Sequence, residues 1–598
     1  MGRWLYGALF VVLLPIGLWA WASATATDVP VAVAWPTPVG LSLAATGAAL
    51  LLSGMIAIRI YGGGLPMNAY PPPKYVERGV YRLLPHPIYA GFVMLVAGVS
   101  IMAGSASGLW LISPLVALGC AALVLGYERH DMAGRFGRAP RVVLPEATDE
   151  RPSAIDRGAF YLFVLAPWAA LYEVVIALGP VRDALGAQFA FEKRLPVVSI
   201  YLVTLLAPLL AATRRDLRTF CVRGLLSMAI AFPLLFLAPP TEYASVPVIW
   251  ALLAAEVFAN RWRKLAWIWR GWAVAAATSC VTAGRHPIVD VVGGLLTFCV
   301  AVRAHALWEV VRRSSERVAN SWREWRIGPV RVINHGVYVG VGAALAFAVA
   351  EIMAGPEART AILVAAVAAV VGAALWAQYV EGSPQLLRPF GFYGGLLGGT
   401  LGALAAPLLG ATTWLVLAAF SAGGPWAQAL GRLRCLVQGC CHGRPAAESI
   451  GIRYRHPRSR VCKMTGWTEV PLHPTPIYSL LWNVLVGLVM ARLWFAGAPL
   501  HLIAGLYFIL NGLGRFVEEA WRGEPQTPVY ARLRLYQWAA IVSVLAGALM
   551  TALGRSGSAP GASFDWKAAL AAAAFGCLVF AAMGVDFPAS NRRFSRLV

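Results

Sequence analysis

"YGALFVVLLPIGLWAWASATA", residues 6–26, decides the class of fold. It carries no charge, and at a rise of about 1.5 Å per residue it spans about 30 Å, the thickness of a bilayer's hydrocarbon core. Such a run near an N-terminus also resembles a signal peptide. Its apolar stretch is long and further apolar runs follow at once, so an uncleaved first membrane helix is expected. Runs of this length recur down the chain to 567–587 and predict about 18 membrane helices. Lipid offers no partner to an open sheet edge, so the expected fold class is all-α: a polytopic integral membrane protein.

Composition agrees. Of 598 residues, 59% are hydrophobic and 13% charged, too little polar surface for a soluble chain of this size. The net charge of +22 comes from 50 Lys and Arg against 28 Asp and Glu. Most of it lies in short loops between apolar runs, where basic residues set topology and meet anionic headgroups, so no nucleic-acid partner is expected. The basic stretches, including 128–158, 312–331, 431–463 and the tail "NRRFSRLV", fall on one side by parity. Positive-inside reasoning puts them and both termini in the cytoplasm. Polar breaks divide the chain into a first membrane helix (1–36), modules at 37–158, 159–311 and 325–555, and a last helix with a basic tail (556–598).

Three cysteines stand in "GRLRCLVQGCCHGR", 431–444. Zinc loops usually space their ligands in two separated pairs. Here Cys440, Cys441 and His442 are adjacent, so their side chains are expected to diverge and no metal is expected. A reactive thiol or a Cys435–Cys440 disulfide is the other reading of the cysteines. The arginines carry a different argument. Arg432 opens the expected loop and can grip a phosphate bidentately. In "GRFVEEAWRGE", 514–524, Arg515, Glu519 and Arg522 follow at i, i+4 and i+7 and share one helix face. Ionisable groups at such depth are costly and mark function.

Four motifs in this order, "RPFGFYGGLLGG" (388–399), "GRLRCLVQGCCHGR", "PLHPTPIY" (471–478) and "GRFVEEAWRGE", resemble those of the prolipoprotein diacylglyceryl transferases. The resemblance implies transfer of diacylglyceryl from an anionic, phosphatidylglycerol-like phospholipid to a thiol or other acceptor, such as a lipoprotein cysteine or a lipid. It implies no cofactor, and a bacterial cytoplasmic (inner) membrane. It assigns catalytic roles to Arg432, Arg515, Glu519, His473 and Tyr393, and substrate contacts to Gln438, Gly394, Gly395, Gly439, Tyr478 and Arg522. Tyr393 stands where the family has His, Cys435 where it has Asn, and Cys440 where it has Glu. The phosphate grip is kept while the acid–base groups are changed.

Upstream, "PPPKYVERGVYRLLPHPIYAGF" (71–92) and "YERHDMAGRFG" (127–137) resemble the isoprenylcysteine carboxyl methyltransferase and phospholipid methyltransferase group. If that module is active, the resemblance implies S-adenosylmethionine held by Arg82, His86, Tyr89 and Glu128. The middle segment "SCVTAGRHPIVDVVGG" (279–294) resembles the third motif of type 2 phosphatidic acid phosphatases, with His286 as nucleophile and Asp290 as its orienter. Cys280 replaces the phosphate-gripping Arg and Pro247 the general-acid His, so this module is expected to be a scaffold. Three readings therefore compete: lipid-group transferase, membrane methyltransferase and non-catalytic lipid binder.

Overall fold

The computed structural model describes residues 2–33, 35–66, 70–138, 144–169, 195–237, 245–282, 288–380, 390–524, 528–592 and 594–597. Among them, nine helices are long and apolar enough to cross a membrane, and Ile288–Val302 with Ala304–Ala319 makes a further pair bent by 69°. The chain is a helical integral membrane protein. Several expected spans are shorter or more polar than that criterion allows. Pro87–Met102 is an apolar helix of under 18 residues, and Thr413–Gln438 interrupts its apolar run with Gly423, Gly424, Pro425 and Gln428. The apolar run at 390–409 is a 12-residue helix, Phe392–Ala403, followed by a 3₁₀ turn, Ala406–Leu409. Twelve residues reach about 18 Å, short of a bilayer core.

Two compact units make up the chain. The first holds 30–110 and 138–308. In it, Thr37–Ala57 packs on Pro87–Met102 through glycines spaced by seven. A Cβ on Gly47 would stand 2.6 Å from the Gly91 carbonyl oxygen, so the backbones touch. The same unit has an aromatic core in which Phe160 stacks on Phe220 at 4.6 Å, edge-on to Trp250. Arg214 reaches Asp156 at 3.2 Å, and Asp156 caps its own helix in a box with Ser153. His286 lies outside the described residues. Asp290 is buried, and its backbone carbonyl accepts from the Ser245 amide at 2.9 Å.

The second unit holds 7–29, 111–137 and 309–598. Its central helix is Leu500–Trp521, with 83% of its apolar window buried. Thr413–Gln438, Thr475–Phe495, Leu535–Leu553 and the segment 111–136 all pack against it. Gln537 Nε2 donates to the Gly126 carbonyl at 2.9 Å, and Trp21 Nε1 to Thr551 Oγ1 at 2.8 Å, tying the N-terminal segments into this bundle. Two small sheets are the exceptions to an all-helical fold among the described residues, and one of them pairs Val529–Tyr530 with Leu533–Arg534. Strands Glu324–Ile327, Val330–Ile333 and Val585–Asp586 form an antiparallel sheet, locked by a buried Arg331–Asp586 pair with contacts of 2.8 and 2.6 Å.

The 392–403 helix lies on Arg359–Tyr379. A Cβ on Gly394 would fall 2.2 Å from Trp376 Cβ and 2.3 Å from the Gly372 carbonyl oxygen, whereas on Gly395 the nearest atom is 3.5 Å away. Helix packing therefore accounts for Gly394. Gly394→Ala should cost about 1–3 kcal/mol by overpacking and lower the melting temperature in detergent, while Gly395→Ala leaves it unchanged.

Candidate functional site

The site gathers at the C-terminal ends of two helices, 413–438 and 500–521, which pack side by side. Arg432 sits inside the first helix, not in a loop as the sequence suggested. Its helix runs on to Gln438 because Gly439, at φ +71°, supplies the left-handed cap whose amide donates to the Cys435 carbonyl at 2.8 Å. That turn accounts for Gly439.

Glu518 joins the two helices. One oxygen is 3.0 Å from Arg432 Nη2 and the other 3.0 Å from Arg515 Nη1. The opposite arginine terminus, Arg515 Nη2, meets Glu519 at 2.9 Å, and Arg522 meets the same oxygen at 3.1 Å. Arg534 approaches Glu519 at 3.6 Å, and Arg522 reaches on to Glu524 at 3.2 Å. Four arginines thus surround three glutamates. Arg515, Glu518, Glu519 and Arg522 are each less than 9% exposed.

Burying so many charges costs several kcal/mol per ion before pairing, so stability alone does not account for the cluster. Glu524, just past the central helix, is pushed up to about 8, chiefly by burial, against the pull of Arg522. It is neutral at pH 7, which leaves positive charge in excess. The Nε atoms of Arg515 and Arg522 are buried and have no hydrogen-bond partner among the described residues. Excess charge and unused donors in a buried cluster suit an anion with several acceptor oxygens.

The remaining predicted residues frame this cluster. Tyr393 stacks on Tyr536 at 5.8 Å, Arg515 lies over the Tyr536 ring at 5.1 Å, and the Tyr393 hydroxyl has no partner among the described residues. His473 Nδ1 is 3.2 Å from Tyr478 Oη, and burial lowers the imidazole below its ordinary value, so it is neutral at pH 7. Trp521 packs between His473, at 4.8 Å, and His130, at 4.9 Å. Gln438 accepts from Arg434 at 2.9 Å. In the first unit, Arg82 ends the 3₁₀ turn Gly79–Arg82 and His86 precedes Pro87–Met102, with its ring 6.0 Å from Tyr89. Glu128 belongs to the second unit.

Sequence reasoning missed Glu518, Glu524 and Arg534. Glu518 stands beside Glu519 in the quoted motif, but its partner Arg432 is 86 residues away. The expected divergence of the cysteines is also corrected. The turn at Gly439 folds the chain back, and the sulfurs of Cys435, Cys440 and Cys441 all lie within 4.8 Å of one another.

Buried arginines bridged by carboxylates thus sit in a bundle of apolar helices, a membrane-embedded site suited to an anionic substrate. A family model for prolipoprotein diacylglyceryl transferase matches residues 324–553, and one for phospholipid methyltransferase matches 35–139. Over 182 residues the chain is 30% identical to phosphatidylglycerol–prolipoprotein diacylglyceryl transferase 2 of Clostridium perfringens, covering 29% of this chain and 68% of that protein. It is 27% identical over 174 residues to the corresponding enzyme of Clostridium tetani, covering 28% and 66%. The chain belongs to the prolipoprotein diacylglyceryl transferase family.

Two measurements test the cluster. Glu518→Ala leaves Arg432 and Arg515 buried without their shared counter-charge and should destabilise the fold by about 3–5 kcal/mol, read as a fall in melting temperature. Glu524 gains its charge as pH rises through about 8. Affinity for an anionic phospholipid should therefore fall above that pH, and Glu524→Gln should flatten the fall.

Proposed function

We propose that the 392–524 region binds an anionic phospholipid of the phosphatidylglycerol type and transfers its diacylglyceryl group to a thiol acceptor such as a lipoprotein cysteine. The observation that carries this reading is Glu518, which holds Arg432 and Arg515 about one carboxylate apart while Arg515 keeps an unused buried donor. Both relatives are named as enzymes of this reaction, which supports the choice of lipid and acceptor.

The chemistry follows from the charges. A phosphodiester enters as a monoanion and leaves as glycerol phosphate, a dianion. Arginines fixed in a dry site stabilise that added charge as it forms. The attacking sulfur reacts as a thiolate, so its proton has to leave first. Neutral His473, oriented by Tyr478, has a ring nitrogen able to take a proton. The reading includes about 18 spans over the full chain, three sequence modules bounded as the polar breaks suggest, and a bacterial cytoplasmic membrane with both termini inside. The match at 35–139 supports a second reading for the N-terminal module, methyl transfer from S-adenosylmethionine.

Reconstituted in phosphatidylglycerol vesicles with a cysteine-bearing lipoprotein peptide, the protein should add a diacylglyceryl mass to the peptide. Arg432→Ala and Arg515→Ala should each lower the rate by about 100-fold or more. His86→Ala and Glu128→Ala should leave it unchanged. Methyl incorporation lost in the latter pair and kept in the former would assign methyl transfer instead, and turnover of neither substrate would leave a lipid-binding protein.

A further inference from the structure

The mechanism above leaves one group of nucleophilic side chains unused. Cys435, Cys440 and Cys441 bring three sulfurs within 4.8 Å of one another, with Cys440 and Cys441 3.8 Å apart. Four sulfurs at about 2.3 Å from a tetrahedral zinc ion stand about 3.8 Å from each other. The backbone holds this spacing. Cys435 is in the last turn of its helix, Gly439 reverses the chain, and Thr475 Oγ1 donates to the Cys441 carbonyl at 2.5 Å, fixing the turn against the next helix.

The surroundings point to a ligand independently. The Tyr454 hydroxyl, on a residue only 1% exposed and packed in one cluster with Leu436, Val461 and Cys462, has no hydrogen-bond partner among the described residues. The Ser459 hydroxyl is fully buried and equally unpartnered, and it would stand 2.4 Å from a Cβ on Gly439. Orphaned buried hydroxyls of this kind are satisfied by metal-bound thiolates or by a metal-bound water. Arg432 Nη1 is 3.5 Å from Cys441 Sγ, so the cluster touches the phosphate-gripping arginine itself. Three thiolates and a zinc ion carry one net negative charge, which that arginine offsets.

We propose that Cys435, Cys440 and Cys441 form a zinc site whose fourth position takes the acceptor thiol and holds it as a thiolate beside Arg432. Three protein ligands with one open position is the arrangement of catalytic zinc, and a coordinated thiol loses its proton outright. The inference rests on the reading that the acceptor is a thiol. It also supplies the thiol activation that Tyr393, standing in place of an imidazole, does not.

The step balances. On coordination the acceptor S–H bond breaks and its proton goes to the neutral His473 ring and from there to water. The sulfur lone pair forms a bond to C3 of the glyceryl group. The C3–O bond breaks, its electron pair stays on the phosphate oxygen, and glycerol phosphate leaves from the arginines. The thioether product is a weaker ligand than a thiolate and departs, leaving zinc and its three cysteines unchanged.

The test uses the full chain purified in detergent. Loaded with zinc and dialysed, it should retain about one ion per chain, and Cys435→Ser, Cys440→Ser and Cys441→Ser should each weaken retention at least tenfold. Cd²⁺ added to the metal-free wild-type protein should give a thiolate-to-metal charge-transfer band that saturates at one equivalent. That titration decides the site even where a serine variant fails to fold, and no band or no retained zinc overturns the site. Stripping zinc should lower transfer to the peptide thiol about 100-fold or more, with recovery on adding zinc back. Undiminished transfer by zinc-free protein overturns thiol activation and leaves the transferase reading intact. One zinc bound with no transfer under any condition overturns the transferase reading and, with it, the thiol-activating role, leaving the metal site.

Discussion

Glu518 between Arg432 and Arg515 is the contact on which the second unit depends. It joins the ends of two membrane helices across a buried charge gap. Neither arginine is at home in lipid, and each would cost several kcal/mol without a counter-charge. Their pairing fixes the relative height of the 413–438 and 500–521 helices. It also sets two guanidinium groups at a separation suited to one phosphate. A phosphate presents to those donors the same kind of oxygen as the carboxylate they hold here.

Around that bridge the charges are graded. Glu519 is wrapped by Arg515, Arg522 and Arg534, whereas Glu524 at the rim is raised by burial and stays neutral at pH 7. The site is thus positive where a lipid phosphate would enter and balanced where the helices are packed. Aromatic rings, Tyr393 on Tyr536 and Trp521 between two histidines, flank the same cluster. Low dielectric strengthens each of these interactions on a phosphate whose charge grows during reaction.

The segment 111–137 adds an unexpected element. It packs on the central helix through Gly126, where a Cβ would meet Phe516 at 2.6 Å, and through the Gln537 bond to the Gly126 carbonyl. Sequence motifs assign this stretch to a methyltransferase-like module, but its packing makes it part of the transferase bundle. A family match follows the order of residues along the chain, whereas a compact unit follows burial.

The sequence by itself determined the helical membrane class, because uncharged runs near 20 residues have no other way to satisfy their backbone. It also determined the family and the arginine–glutamate face, since i, i+4 spacing is local geometry. Only the tertiary structure decided that Arg432 is helical, that Glu518 is the shared counter-charge, and that the glycines at 394 and 439 serve packing and a turn. Each depends on a partner far along the chain or on a backbone reversal that side-chain types do not announce. The cysteines make the distinction sharpest. Adjacent in sequence, they were expected to point apart. One left-handed glycine after a helix brings all three sulfurs together beside Arg432.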